Sequence, residues 1–458
     1  MSRNNGRNGR KRLTWLLVAL CLLLAVALSA PRLLQGLRGD QFRLNPNAKM
    51  QEDETYSLTF WVERPNLPDT AAWQQGLEQA LTEFSLLHPN VQVTLSHLAP
   101  DSVNERMNSA LAAGTPPDLF FSANTPPAGL GELQLPLARF VDKNERLAWS
   151  DALWNQLLSA DGQVYSLPVA AYPRVFMVNA SLLPEAEPSV EQIRQNGWAW
   201  SDLIRLAEGA TDGQVKGFVP TSTGEALLQN MAASLGKPSP YDQNGNLVWA
   251  REDLVTLAET WLRLEHSGGA ATKGSGMDAN CLTLYLSEKA AIIGPVNHRL
   301  AAWLWQKAAD KGIQSSLVPV PSVGATGSAD VSVLGLSLLR QEPYQGDRHT
   351  RAGAELAQFL APKLGNLLSN LTGALPATSG GEQAECIPFD QASFAVYANV
   401  SRAPASAYNY GPPLGSAETH WQLAISPAWS KLVEADYTAE QFAEAVLNEL
   451  AMAAIAGP

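Results

Sequence analysis

Leu58-Thr59-Phe60-Trp61-Val62 begins the stretch that decides the fold: Leu58, Phe60 and Val62 alternate with Thr59 and Trp61 at the two-residue period of a strand. An Asn66-Leu67-Pro68-Asp69 turn follows, and then Trp73, Leu77, Ala80, Leu81, Phe84 and Leu87 recur at helical spacing. His88-Pro89-Asn90 ends that helix and Val91 to Leu95 alternates as a second strand. A helix from about Ser102 to Ala113 stops at Gly114, the residue suited to a left-handed cap. Thr115-Pro116-Pro117 then leads into a third, apolar strand, Leu119 to Ser122. Strands alternating with helices predict an α/β fold, a mostly parallel sheet flanked by helices, with ligands bound beyond the carboxyl ends of the strands. The loops after Val62, Leu95 and Ser122 are therefore candidate site loops.

The alternation continues toward the C-terminus. Tyr165 to Val169 and Phe176-Met177-Val178 read as strands, Trp200 to Ala207 as a helix, and Leu254, Leu257, Trp261 and Leu264 as another. Ala290 to Ile293 is a short apolar strand closed by Gly294-Pro295, Leu300 to Ala308 has helical spacing, and the polar stretch Gly324 to Asp330 precedes a strand at Val331 to Leu339. Gly274 to Ala279 imitates a dinucleotide-binding fingerprint, but it follows a loop where the motif needs a strand, so it reads as connection.

Toward the N-terminus the pattern changes. Arg3, Arg7, Arg10, Lys11 and Arg12 make residues 1–12 a basic head, expected on the cytoplasmic side, before Leu13 to Ala30, eighteen residues without a charge. At 1.5 Å per residue that segment is about 27 Å long, so it serves either as an export signal or as a transmembrane anchor. Ala25-Val26-Ala27 offers a cleavage site; Pro31 after Ala30 does not. Leu20 before Cys21 argues against lipidation. Residues 31–55 read as a polar tether, so one N-terminal hydrophobic helix precedes a body expected on the extracytoplasmic face, anchored there, or secreted or periplasmic after cleavage.

Residues 1–50 hold nine of the 32 bases and one of the 44 acids, which leaves 23 bases against 43 acids, a net −20, on residues 51–458. Such a body repels nucleic acid, because neutralising phosphates takes clustered Lys and Arg. Cys281 and Cys386 either pair outside the cytosol or stay as two buried thiols. The six histidines show no metal-ligand spacing, and there is no G-x-S-x-G elbow, no phosphate loop and no carboxylate pair that stands out for glycoside hydrolysis. No catalytic residue, metal or cofactor is expected.

Several of these segments, in order, resemble the family 1 bacterial extracellular solute-binding proteins, the group of maltose-binding protein. Leu58-Thr59-Phe60-Trp61 is similar to the family's opening strand and Leu111-Ala112-Ala113-Gly114-Thr115-Pro116-Pro117-Asp118 to its most recognisable string. Asp161 to Pro168 with Val178-Asn179 resembles its first lobe crossing, Lys289 to Pro295 its strand ending at the cleft, and Gly373-Ala374-Leu375-Pro376-Ala377 the later crossing. The resemblance runs from roughly 56 to 458. It implies a two-lobed periplasmic-binding-protein-like fold of type II that closes on its ligand, with lobe one at 56–170 plus 325–370 and lobe two at 171–324 plus 371–458. It further implies an ABC importer's receptor, whose partners are a small-molecule solute, the permease's transmembrane subunits and the membrane through its N-terminal helix.

Sugar receptors combine stacked aromatics with planar polar groups. Trp61 near the end of the first strand is one candidate aromatic, and equally a core residue; Ser122 and Asn124 end the third strand. Tyr172 and Arg174 flank Pro173 at the expected hinge, where Arg174 either binds a diol, carboxylate or phosphate or bridges the lobes. By the resemblance, Thr221 and Thr223 lie in a ligand-contacting loop, Asn297 and His298 follow the Gly-Pro turn, and Trp421 stands where relatives carry a stacking aromatic. Val296 after Gly-Pro and Ser122 after the third strand replace aromatics of several sugar binders, which leaves room for a smaller or more polar solute such as a polyol. The expected function is a receptor for a carbohydrate or related polyol. The alternatives are a ligand-sensing subunit for a membrane histidine kinase and an exported glycan-acting enzyme.

Overall fold

The alternation at Leu58 belongs to a strand, Tyr56–Glu63 (β1), in which Tyr56, Leu58, Phe60 and Val62 are buried and Ser57 is exposed. The computed structural model describes residues 43–456 apart from 65–66, 68, 124–129, 131–132, 160, 186–187, 222–224, 238–239, 241–246, 271–276, 324–330, 379–387, 401–424 and 435. The chain divides into two compact units, Met1–Pro46 and Asn47–Pro458, and the architecture below is that of the second. The basic head and the apolar segment lie outside the described residues. Among the described residues no helix is long and apolar enough to cross a membrane.

After β1 come α1 (Thr70–Leu87), β2 (Val91–Leu98), α2 (Val103–Ala112), β3 (Leu119–Ser122), β4 (Ser166–Pro173) and β5 (Val175–Asn179). There follow α3 (Trp200–Ala210), β6 (Lys216–Pro220), α4 (Glu225–Ser234), α5 (Arg251–His266), α6 (Met277–Leu286), β7 (Ala290–Val296), α7 (His298–Ala309) and β8 (Ser315–Pro319). The last are β9 (Val331–Leu338), α8 (Asp347–Thr372), β10 (Leu375–Pro376), α9 (Gln391–Val400) and α10 (Ala439–Ala456), with shorter helices between. Met277 to Ala279, read from sequence as connection, open α6.

Two sheets result, one in the order β10-β4-β9-β3-β1-β2 and one in the order β6-β7-β5-β8. The expectation of mostly parallel sheets needs correction. Among the described strands, β1 with β2, β1 with β3 and β6 with β7 are parallel, whereas β3 with β9, β4 with β9, β4 with β10, β5 with β7 and β5 with β8 are antiparallel, so both sheets are mixed. The cause is that β4, β5, β9 and β10 do not come from βαβ units. They belong to segments that leave one sheet for the other, and an antiparallel pairing needs no crossover helix between its strands.

Each sheet carries its own core. Phe60, Trp73, Phe84 and Phe121 are fully buried in the first lobe, with the Trp73 and Phe121 rings stacked 6.1 Å apart. In the second, Trp261, Trp429 and Phe442 tie α5, a helix at 425–433 and α10 together, with Trp261 and Trp429 5.5 Å apart. The 26-residue α8 lies across the first sheet. A Cβ at Gly365 would stand 2.4 Å from the Val169 carbonyl oxygen, so only glycine lets this helix approach β4 so closely. α8 ends where Gly373, at φ 71°, returns its N–H to Ser369. Cys281 is buried; Cys386 lies outside the described residues.

The last residues of the tether are fastened to the first lobe. Asn90 Nδ2 donates to the carbonyls of Gln51 and Glu54 at 2.9 and 3.0 Å, and Arg348 donates to the Gln51 and Glu54 side chains at 2.9 and 3.2 Å.

Candidate functional site

β4 and β5 are halves of one extended run, and Arg174 alone separates them. Tyr172 and Pro173 pair with Ser332 and Val331 of β9 in the first sheet, whereas Val175 pairs with Val296 of β7 and Pro319 of β8 in the second. At Arg174, therefore, the chain steps from one lobe to the other.

The carboxyl ends of the parallel strands supply the polar groups near this step. β1 ends at Glu63 and β3 at Ser122, which are register partners; the Ser122 hydroxyl donates to the Glu63 carboxylate and both are buried. In the second sheet, Thr221 follows β6. Its N–H donates to the Gly294 carbonyl at 3.0 Å and its hydroxyl to the Pro295 carbonyl. Asn297 follows β7 and caps α7, its Oδ1 accepting from Leu300 N–H at 3.0 Å.

His298, the first residue of α7, reaches into the first lobe and is 0% exposed. Its ring lies 4.2 Å from that of Tyr172, and its Nδ1 meets Thr372 Oγ1 at 2.7 Å. Burial holds the imidazole well below its ordinary pKa, and the neighbouring Arg299 guanidinium pushes the same way. Burial also lowers Arg299, which Tyr172 and Glu63 partly offset.

Trp61 stands apart from this group. It is half-buried beside Met107, Leu111, Phe120, Leu130 and Leu339, with the Arg106 guanidinium 5.5 Å from its ring centre. Arg174 is partly buried and engaged in an interaction. Asn124, Thr223 and Trp421 lie outside the described residues. A cavity of about 630 Å³ opens elsewhere, between α3 and α5 of the second lobe, lined by Trp200, Ile204, Thr256, Thr260 and Arg263 among others. Among the described residues no group of His, Cys, Asp and Glu is placed to hold a metal ion.

Two mixed α/β sheets joined by extended crossings, with strand ends facing the joint, match a known group. Residues 64–361 match the family described as bacterial extracellular solute-binding protein. The chain belongs to that family. No curated protein matches the sequence. Among solved structures, the chain is similar to a cyclic alpha-maltosyl-1,6-maltose binding protein from Arthrobacter globiformis, with a TM-score of 0.67 and 16% identity over 88% of this chain and 100% of that one. The maltose/maltodextrin-binding domain from Bdellovibrio bacteriovorus bound to maltotriose gives 0.63 and 15% over 86% and 99%. An ABC substrate-binding protein from Listeria monocytogenes in complex with cycloalternan gives 0.62 and 15% over 88% and 99%. At such identities these structures establish the two-lobed fold.

In this solute-binding protein the structure brings together Ser122 with Glu63, Tyr172 with His298, and Thr221 with the Gly294-Pro295 turn. Three participants went unread in the sequence: Glu63, Arg299 and Thr372. Glu63 had a signal of its own, an acid at the carboxyl end of the first strand of an α/β unit. Thr372, 74 residues from its partner His298, had none.

Proposed function

We propose that the chain is the extracytoplasmic receptor of an ABC-type importer and delivers a carbohydrate or related polyol to the permease's membrane subunits. The observation that carries this reading is the company the fold keeps: neighbours spanning most of the chain are named for cyclic alpha-maltosyl-1,6-maltose, maltotriose and cycloalternan. On this reading the protein binds and releases its solute without changing it. Its lobes are about 56–170 plus 325–370 and 171–324 plus 371–458, with the crossing residues 171–173 and 371–376 still on the first sheet and its long helix, and they are held at the membrane by the N-terminal segment. Ser122, Tyr172, Arg174, Thr221 and Asn297 sit at or beside the crossing and remain the contact candidates, together with Trp61, Asn124, Thr223 and Trp421.

A thermal-shift screen over linear and cyclic malto-oligosaccharides, polyols, polyol phosphates, amino acids and short peptides tests the reading, because a ligand of the native state raises the melting point by mass action. A rise with saccharides or polyols is expected. A rise confined to polyol phosphates makes the solute an anion, and a rise only with amino acids or peptides overturns the carbohydrate class.

A further inference from the structure

We infer that His298 is the pivot on which the two lobes turn, seated against Tyr172 and Thr372 of the first lobe. The inference rests on the receptor reading above, since a pivot matters only to a protein that closes. His298 follows β7 by two residues, and Val296 of β7 pairs with Val175, the first residue past the crossing. Tyr172 lies two residues before Arg174, and Thr372 ends α8 just ahead of β10. All three side chains thus sit within a few residues of strands that pass between lobes or pair beside the passage. In a rigid-body rotation an atom's displacement grows with its distance from the axis, and the axis runs through the crossing strands. Contacts as close as 2.7 and 4.2 Å survive opening and closing only if they lie near that axis.

The hydrogen bonding defines the joint further. Thr372 Oγ1 lies 2.7 Å from both the Leu368 carbonyl and His298 Nδ1, and the imidazole also bonds the Ala123 carbonyl beyond β3. The ring is thus hydrogen-bonded across the lobe boundary to both Thr372 and the end of β3. Asn297 caps α7 and so fixes the helix start from which His298 projects. With the ring wholly enclosed, Nδ1 has no water to turn to if the Thr372 hydroxyl is lost. Arg299 on the same helix, Glu63 on β1, Tyr172 on β4 and Tyr397 on α9 are the ionisable groups around the joint. As a positioning residue, His298 acts on the ligand only through the lobes.

The test compares Thr372→Val, which keeps the shape and removes the hydroxyl, with Thr372→Ser, which keeps it. Spin labels attached through a ketone-bearing amino acid at positions 86 and 259, exposed sites of the first and second lobes, report the interlobe distance distribution in the full chain without ligand. In Thr372→Val, off-axis distances rare in the parent rise about tenfold, the factor carried by ~1.4 kcal/mol, while Thr372→Ser keeps the parent distribution. Should Thr372→Val not fold, His298→Leu against His298→Asn, whose amide can still hydrogen-bond Thr372, makes the same comparison. An unchanged distribution in the variant without the bond, or equal broadening in both members of a pair, overturns the pivot. Because no ligand is present, a failed sugar screen leaves this result standing.

Discussion

The Asp118 carboxylate accepts from His349 Nε2 at 2.8 Å, joining the start of β3 to the first turns of α8 across 231 positions of chain. The same carboxylate accepts from the Thr59 N–H and hydroxyl at 2.7 and 2.9 Å and from Gln341 Nε2 at 3.3 Å. One buried acid thus fastens β1, β3, the exit from β9 and the long helix. The Gly114–Asp118 string that marks the family in the sequence ends on this junction.

Asp118→Ala should therefore destabilise the first lobe by roughly 3–5 kcal/mol, because it strips several buried donors of their acceptor at once. A urea melt of the variant beside the parent measures it. A loss under about 1 kcal/mol, the range of an ordinary surface change, would show that the junction is not what holds these elements.

Gly365→Ala is the matching test of α8 against β4. The added methyl would meet a backbone oxygen at 2.4 Å, which cannot swing aside as a side chain would. The helix must shift, and overpacking of this kind costs ~1–3 kcal/mol. Elsewhere in a helix the same replacement stabilises by up to about 1 kcal/mol, so the sign of the urea-melt difference decides the matter.

His298 predicts a pH dependence of stability. Its folded pKa lies well below the ordinary value because of burial and Arg299, so between the two values the unfolded chain binds the extra proton. Stability should hold above about pH 6.5 and fall on acidification below it, with a limiting slope of ~1.4 kcal/mol per pH unit for one proton. His97 is shifted the same way by burial and Arg64, but it is retained in His298→Gln and cancels in the comparison. Urea midpoints between about pH 5 and 8 should show a shallower acid slope in His298→Gln. Equal slopes would mean that the buried imidazole is not the group being protonated.

The first four elements were legible from their periods, since Trp73, Leu77, Ala80 and Phe84 cannot be confused with the alternation of Tyr56, Leu58, Phe60 and Val62, and β3 from its apolar run after Pro116-Pro117. α8 was harder: Leu356, Leu360, Leu364 and Leu368 recur at helical spacing on its buried face, but Pro362 stands among them and the Ala, Gly, Ser and Thr that share the face carry little periodic signal. Nor was β8, where Ser315-Ser316-Leu317-Val318-Pro319 neither alternates nor forms an apolar run. The crossing was visible at Pro173, yet which sheet each side joined depended on partners over a hundred positions away, such as Val331 and Val296. His298 was read as a ligand contact from its place after Gly-Pro. Its seating against Thr372 is a tertiary fact that local pattern does not encode.

Thr221 offers a direct test of whether the loop after β6 touches the ligand. Its hydroxyl donates to the Pro295 carbonyl, so toward a ligand it would act as an acceptor. That suits a solute rich in hydroxyl donors. Thr221→Val preserves the shape and removes the acceptor, so affinity for the saccharide found in the thermal screen should fall by ~0.5–1.5 kcal/mol, roughly twofold to tenfold. Thr221→Ser should bind nearly as the parent does. Calorimetric titration of the three proteins beside a urea melt separates the effects, because losing the bond to Pro295 lowers stability whether or not a ligand is touched. If the dissociation constant of Thr221→Val equals the parent's while its melt shifts, Thr221 does no more than tie β6 to β7, and the ligand contacts lie elsewhere.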